Sequence, residues 1–230
     1  MNQIAMVNES IMVTDNKFNL IFDFDGTLAD SFSAVLKKFS LLAYELNFHD
    51  ISETKIDKLR NLSSRELIKS LNIPIYKLPK VLRKAREALS EDIHSLPIFA
   101  DLPEVLTELQ QLNCTLGILT SNSEENVLTW LNHYKIQSLF SFIYAKSSYF
   151  GKKKVLRKII KTYRMPLLKT FYIGDETRDI EAAHKANINS MAVTWGFNSE
   201  ETLRQYQPNY LAKTPKDILN FIQEKSKIID

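Results

Sequence analysis

Cysteine is almost absent from this chain: Cys114 is the only one in 230 residues. That excludes an internal disulfide and a cysteine-based metal site, and it suits a reducing, cytoplasmic compartment. Cys114 opens an apolar run and is read as a buried core residue. An excess of either charge is missing too. The 30 basic and 27 acidic side chains leave a formal net charge of +3, too little to argue for nucleic acid or a membrane surface as partner. Residues Met1 to Lys17 hold no long hydrophobic block, so neither a signal peptide nor a membrane anchor is read there. Repeats and low-complexity tracts are also lacking. Glycine is scarce, with five in the whole chain, so the places where it occurs are informative.

What is present is an ordinary globular composition, 44% hydrophobic and 25% charged in 26.6 kDa, enough to bury a full core. Residues 1–17 read as a weakly ordered lead-in, with Met12 as an alternative start. A first apolar strand from Leu20, ending in the carboxylates of Asp23 and Asp25, is followed by helical spacing from Asp30 to about Asn47, where Asp30 and Ser31 offer capping oxygens. Further helices are expected over Ser52 to Arg60, Ser63 to Leu71 and Leu78 to His94, punctuated by Pro74, Pro79 and Pro97. No strand pattern occurs between Asp30 and Ser95. From Leu102 onward the rhythm alternates. Helix Leu102 to Leu112 precedes strand Thr115 to Thr120, helix Glu124 to Tyr134 precedes strand Phe142 to Ala145, and helix Lys153 to Tyr163 precedes strand Thr170 to Ile173. Helix Arg178 to Ala186 then precedes strand Ser190 to Thr194, and a short helix near Glu201 precedes Tyr210 and Leu211. Alternation of this kind predicts an α/β fold, a doubly wound, Rossmann-like parallel sheet interrupted by an all-helical insertion.

Four stretches bring polar groups to strand ends or helix starts. Leu20-Ile21-Phe22-Asp23-Phe24-Asp25-Gly26-Thr27-Leu28 is a buried-type strand that stops at two carboxylates, which share one side because they are two residues apart. A cation between them relieves their repulsion. Gly26 permits a sharp turn and the Thr27 hydroxyl can pin it. The simpler reading is an acidic turn. Gly117-Ile118-Leu119-Thr120 ends at Ser121-Asn122, where Ser121 with Glu124 also fits a capping box; a helix start can bind phosphate as well. Gly151-Lys152-Lys153-Lys154 opens a helix with cations that oppose the macrodipole, unless one of them faces fixed negative charge. Phe171-Tyr172-Ile173-Gly174-Asp175-Glu176-Thr177-Arg178-Asp179 again runs from apolar strand to glycine and acid, and either Asp175 or Thr177 could cap the next helix.

Together these stretches resemble the four motifs of the haloacid dehalogenase-like (HAD) superfamily, most of whose members are phosphatases, and in particular its phosphoglycolate-phosphatase-like branch with a helical cap. The resemblance spans nearly everything after Lys17. It implies a core of residues 18–29 and 96–230 with the strand of Asp23 in the middle, and a helical cap over 30–95. It implies Asp23 as nucleophile, Asp25 as general acid/base, Ser121 as phosphate ligand and Lys152 as the fixed cation, with Lys154 as the alternative because the proline usual after that lysine is absent. Mg2+ would be held by Asp23, Asp175 and the backbone carbonyl of Asp25, with Asp179 in support. Thr27, Ser121, Asn122 and Lys152 would bind substrate, and Arg65, in a polar cluster with Arg60, Ser63 and Ser64, would reach it from the cap. Those serines and arginines could equally be a helix cap and a solvated face. The implied activity is magnesium-dependent hydrolysis of a small phosphorylated metabolite through an aspartyl-phosphate, in a monomer or homodimer. A phosphomutase and a non-catalytic binding module are the alternatives. Thr194-Trp195-Gly196-Phe197-Asn198 resembles a loop common near the end of such chains and is read as structural.

Overall fold

The computed structural model describes residues 17–38, 56–70, 76, 77, 80, 81, 83, 84, 87, 90, 92–145, 147 and 151–227. The expected lead-in lies outside the described residues, apart from Lys17. Six strands form one sheet: β1 (Asn19–Phe22), β2 (Thr115–Leu119), β3 (Phe142–Tyr144), β4 (Thr170–Gly174), β5 (Asn189–Val193) and β6 (Tyr210–Ala212). Their order is β3-β2-β1-β4-β5-β6 and every pairing is parallel. β1 is therefore central, flanked by β2 and β4 in matched register, with Asn19 opposite both Thr115 and Thr170. The winding reverses beside β1, and the crevice beyond the strand ends at such a point is where open α/β sheets bind ligands.

Both faces of the sheet are covered, because successive side chains of a strand point opposite ways. Leu20 and Phe22 of β1, with Leu116, Ile118, Phe171 and Ile173, enter a core built with Val105 and Leu109 of one helix, Trp130 of a second and Ile218 and Ile222 of a third. Ile21, Leu119 and Tyr172 enter the other, with Leu156, Ile159 and Ala183. Each such fully buried large side chain contributes about 1.5–3 kcal/mol relative to exposure. Cys114 lies in the first of these cores, buried as expected.

The helices are α1 (32–38), α2 (Ile56–Arg60), α3 (Ser64–Ser70), α4 (Leu102–Gln111), α5 (Glu124–His133), α6 (Lys152–Thr162), α7 (Thr177–Ala186), α8 (Glu200–Gln205) and α9 (Pro215–Lys227). Residues 80, 81, 83, 84, 87 and 90 are also helical, and among the described residues between Asp30 and Ser95 there is no strand. The remaining parts of the expected helices over 39–55, 71–75 and 78–91 lie outside the described residues. The chain leaves the sheet and returns to it at one place: Ala29 bridges Ile98, and the Asp30 N–H donates to Pro97 O at 2.8 Å.

The structure departs from the sequence reading in several local features. Helix α9 had no counterpart in that reading. Pro215 begins it and the Asp217 carboxylate accepts the Lys213 and Thr214 N–H groups at 2.8 and 2.9 Å, a capped start that the Pro215 and Asp217 residue types signal. Helix α5 is capped by Ser123, whose hydroxyl accepts the Asn126 N–H at 3.1 Å, rather than by Ser121. Ser31 opens α1 through its carbonyl, which accepts from Val35, while its buried hydroxyl makes no hydrogen bond among the described residues. Short 3-10 turns at Ile93–Ser95, Gln137–Leu139 and Leu167–Lys169 were not anticipated.

Candidate active site

Asp23 directly follows β1, and its N–H continues the ladder by donating to Ile173 O at 2.8 Å. Its carboxylate therefore leaves the sheet at the crevice. Asp175 follows β4 in the same way, and Asp179 lies in the first turn of α7. Carboxylate oxygens of these three buried acids come within 4.8 Å of one another. Between them sits Lys152, the first residue of α6 and 1% exposed. Its Nζ donates to Asp23 Oδ2 at 2.6 Å and to Asp179 Oδ1 at 2.7 Å. This explains a cation at a helix start: the two carboxylates outweigh the unfavourable end of the dipole. Lys154, two residues on, is exposed, so of the two candidates only Lys152 is brought to the acids.

The remaining polar groups hold these acids in place. Thr27 Oγ1 donates to Asp175 Oδ1 at 2.8 Å, and the Phe197 N–H donates to Asp175 Oδ2 at 2.7 Å. Asp179 Oδ2 accepts the Glu176 N–H at 3.2 Å. The Asn122 amide nitrogen spans Asp25, at 3.3 Å from Oδ1 and 3.1 Å from Oδ2. Asn122 is itself fixed, because its oxygen accepts from Ser123 N at 2.8 Å and Asn126 Nδ2 at 3.0 Å. The backbone must come close here. Gly26 has φ +74°, and a Cβ on it would lie 2.2 Å from Asp175 Oδ2; on Gly174 it would lie 2.5 Å from Asp179 Oδ2.

Burial raises the proton affinity of Asp175, Asp179 and Asp25. Burial first, then the charges of Glu176, Asp179 and Asp23, lift Asp175 well above the usual carboxylate range. Asp179 is pushed up to about 6, chiefly by burial and against the pull of Lys152. Burial also raises Asp25, offset chiefly by the Asn122 amide. Clustered hard oxygen donors that repel one another are the donor set of a divalent cation such as magnesium, and the residues fit one.

Of the expected site residues, Asp23, Lys152, Asp175 and Asp179 converge, with half-buried Asp25 on the rim and half-buried Ser121 at the end of β2. Three differ from expectation. Thr27 and Asn122, expected to bind substrate, are each 1% exposed and spend their polar atoms on Asp175 and Asp25. Arg65 is 62% exposed and pairs with Glu181 of α7 at 3.1 Å. Two features were missed. Arg178 comes within 4.0 Å of Asp23 Oδ2. Asn198 joins α7 to the turn between α2 and α3: its Oδ1 accepts from Thr177 N at 2.9 Å and its Nδ2 donates to Leu62 O at 2.8 Å.

Comparison with known proteins agrees with this geometry. Residues 20–193 match the family described as haloacid dehalogenase-like hydrolase. A phosphoglycolate phosphatase from Synechococcus elongatus is 32% identical over 205 residues, covering 89% of this chain and 97% of its own. A pyrophosphatase from Oceanobacillus iheyensis is 24% identical over 210 residues, covering 88% and 95%. A solved haloacid dehalogenase-like family hydrolase from Streptococcus pneumoniae has the same fold, with TM-score 0.74 at 23% identity, over 91% of this chain and 100% of its own. The chain belongs to the haloacid dehalogenase-like hydrolase family. Within it, the chain falls in the phosphoglycolate-phosphatase-like branch and is a phosphatase.

Proposed function

We propose that the chain is a magnesium-dependent phosphomonoester hydrolase that acts on a small phosphorylated metabolite through an aspartyl-phosphate at Asp23. The observation that carries this reading is the buried Lys152 ammonium, clamped between Asp23 and Asp179 beside Asp175. A lysine held on a carboxylate at the sheet's switch point orients that carboxylate and balances incoming phosphate charge. Asp23, Asp175 and the Asp25 carbonyl would hold the magnesium ion, which when bound supplies positive charge against the phosphoryl oxygens. Asp179 keeps Lys152 in place.

In the first step an Asp23 oxygen bonds to phosphorus as the bond to the leaving oxygen breaks, and protonated Asp25 gives its proton to that oxygen. In the second, Asp25 takes a proton from water as the water oxygen bonds to phosphorus and Asp23 departs. Asn122 fixes Asp25 for both transfers. Ser121, just past β2 and not used to cap α5, would donate to the phosphate.

Residues 18–29 with 96–230 would form the catalytic core, and 30–95 a cap that selects the substrate. The name of the Synechococcus relative makes phosphoglycolate the first substrate to try. The single buried cysteine suits a cytoplasmic enzyme, working as monomer or homodimer. No helix among the described residues is long and apolar enough to cross a membrane.

The test is release of inorganic phosphate from a panel of phosphomonoesters headed by phosphoglycolate, with magnesium and with chelator. Metal-dependent release is expected. A folded protein that releases phosphate from no member would overturn the reading, and phosphate transfer to a second site on a sugar would mark a mutase instead.

A further inference from the structure

Arg178 lies inside the Gly174-Asp175-x-x-x-Asp179 stretch, at one of the positions between the two acids, and the reaction sketched above makes no use of it. Its side chain is 9% exposed, and its guanidinium lies beside the Glu176 carboxylate, which is 11% exposed. Arg178 Nε donates to Glu176 Oε1 at 2.8 Å and Nη2 donates to the same oxygen. Two donors on one acceptor fix the plane of the guanidinium. Nη2 then lies 4.0 Å from Asp23 Oδ2, the oxygen that Lys152 holds at 2.6 Å.

Stability alone gives little reason for this arrangement. A buried ion pair is often replaceable by apolar groups at no cost, because desolvation offsets its attraction. A function for the cation is therefore worth seeking. Lys152 directs hydrogen bonds at two carboxylates, so much of its donor capacity is committed before any substrate arrives. A phosphoryl group brings further oxygens that need donors, and the planar, permanently charged guanidinium matches them. A separation of 4.0 Å is too long for a hydrogen bond to Asp23 itself. It suits an oxygen carried by a phosphorus atom bonded to Asp23, one bond further out.

We propose that Arg178 is a second phosphate-binding cation of this site, held ready by Glu176 to contact an oxygen of the phosphoryl group while that group sits at Asp23. The proposal rests on the phosphatase reading above and extends it to a residue outside the four recognised positions. At 4.0 Å from Asp23 Oδ2, Nη2 faces the same space as the acids.

The test is calorimetric titration of inorganic phosphate into the magnesium-saturated protein, comparing wild type with Arg178→Gln and with the double variant Arg178→Gln/Glu176→Gln. The double variant removes the cation without leaving Glu176 as a buried charge lacking its partner, so it keeps the test open where the single variant does not fold. Phosphate binding is expected to weaken about 10–100-fold in both, as for loss of a hydrogen bond to a charged group. Magnesium affinity measured without phosphate is expected to stay within about threefold, which a merely structural Arg178 would not allow if its loss disturbed the acids. Unchanged phosphate affinity in a folded variant would overturn the proposal, as would a parallel loss of phosphate and magnesium binding. A wild type that turns over phosphomonoesters while the variants bind phosphate normally removes the role of Arg178 alone. A wild type that neither binds phosphate nor releases it from any phosphomonoester removes the phosphatase reading with it.

Discussion

Replacing Gly26 by alanine tests how tightly the first turn is built around the acids. At φ +74° a non-glycine residue pays for the left-handed region, about 1–2 kcal/mol. The new methyl group would also lie 2.2 Å from Asp175 Oδ2 and 2.5 Å from Phe197 Cδ2. Asp175 cannot retreat without loss, because Thr27 and the Phe197 N–H hold its two oxygens at 2.8 and 2.7 Å. Overpacking of this kind costs about 1–3 kcal/mol. The two effects together predict a loss of about 2–5 kcal/mol, a large part of the roughly 5–15 kcal/mol typical of a domain. Urea unfolding followed by circular dichroism should show a lower midpoint with unchanged slope. Displacement of Asp175 should also weaken magnesium binding by about 10–100-fold, so that activation needs more metal, the usual scale for a disturbed ligand environment. An alanine variant matching wild type in both midpoint and metal dependence would refute the reasoning, because it would show that the turn has room for a side chain.

Three further outcomes follow from the same geometry. Thr27→Val keeps the shape of the side chain but removes the hydroxyl on Asp175; magnesium activation should shift about 10–100-fold to higher concentration, read from a metal titration of turnover. Lys152→Ala should lower kcat at least about 100-fold, on the scale of losing one preorganised charge-stabilising group, whereas Lys154→Ala, at an exposed position, should stay near wild type. Equal effects of the two would break the assignment. Burial pushes the Cys114 thiol up to about 12, so the folded protein should resist a maleimide at pH 8 and react fully in urea. Fast labelling of the folded state would show that the first core is open there.

The order of strands and helices in the core was legible because each element carries its own signal. β1, β2, β4 and β5 are short apolar runs, and the intervening helices repeat apolar residues at helical spacing. The acids were legible because each ends a strand, so topology alone delivers Asp23 and Asp175 to one edge. Lys152 was favoured over Lys154 but not separated from it, because both open the same helix and, two residues apart, they point about 200° away from each other around α6. The structure makes that distinction through the distances to Asp23 and Asp179. The helpers were harder to read. Thr27 and Asn122 were assigned to substrate because they follow Asp25 and Ser121 in two of the motifs at the sheet edge, but a polar side chain there can as well hold an acid as the ligand. Asn198 touches Thr177 and Leu62 across long chain separations, and no local pattern encodes such a contact. Arg178 stood in plain view between two expected acids; its charge, in a turn already crowded with carboxylates, was the available signal.

The claim on which the rest depends is that Asp23 carries the phosphoryl group. Borohydride reduces an acyl phosphate and converts the aspartate that bore it to homoserine, which peptide mass spectrometry locates by residue. With magnesium and a turned-over phosphomonoester, homoserine is expected at residue 23 and at no other acid, and chelator should abolish it. Homoserine at Asp25 or Asp175, or active turnover with no reduced residue, would contradict Asp23 as the nucleophile.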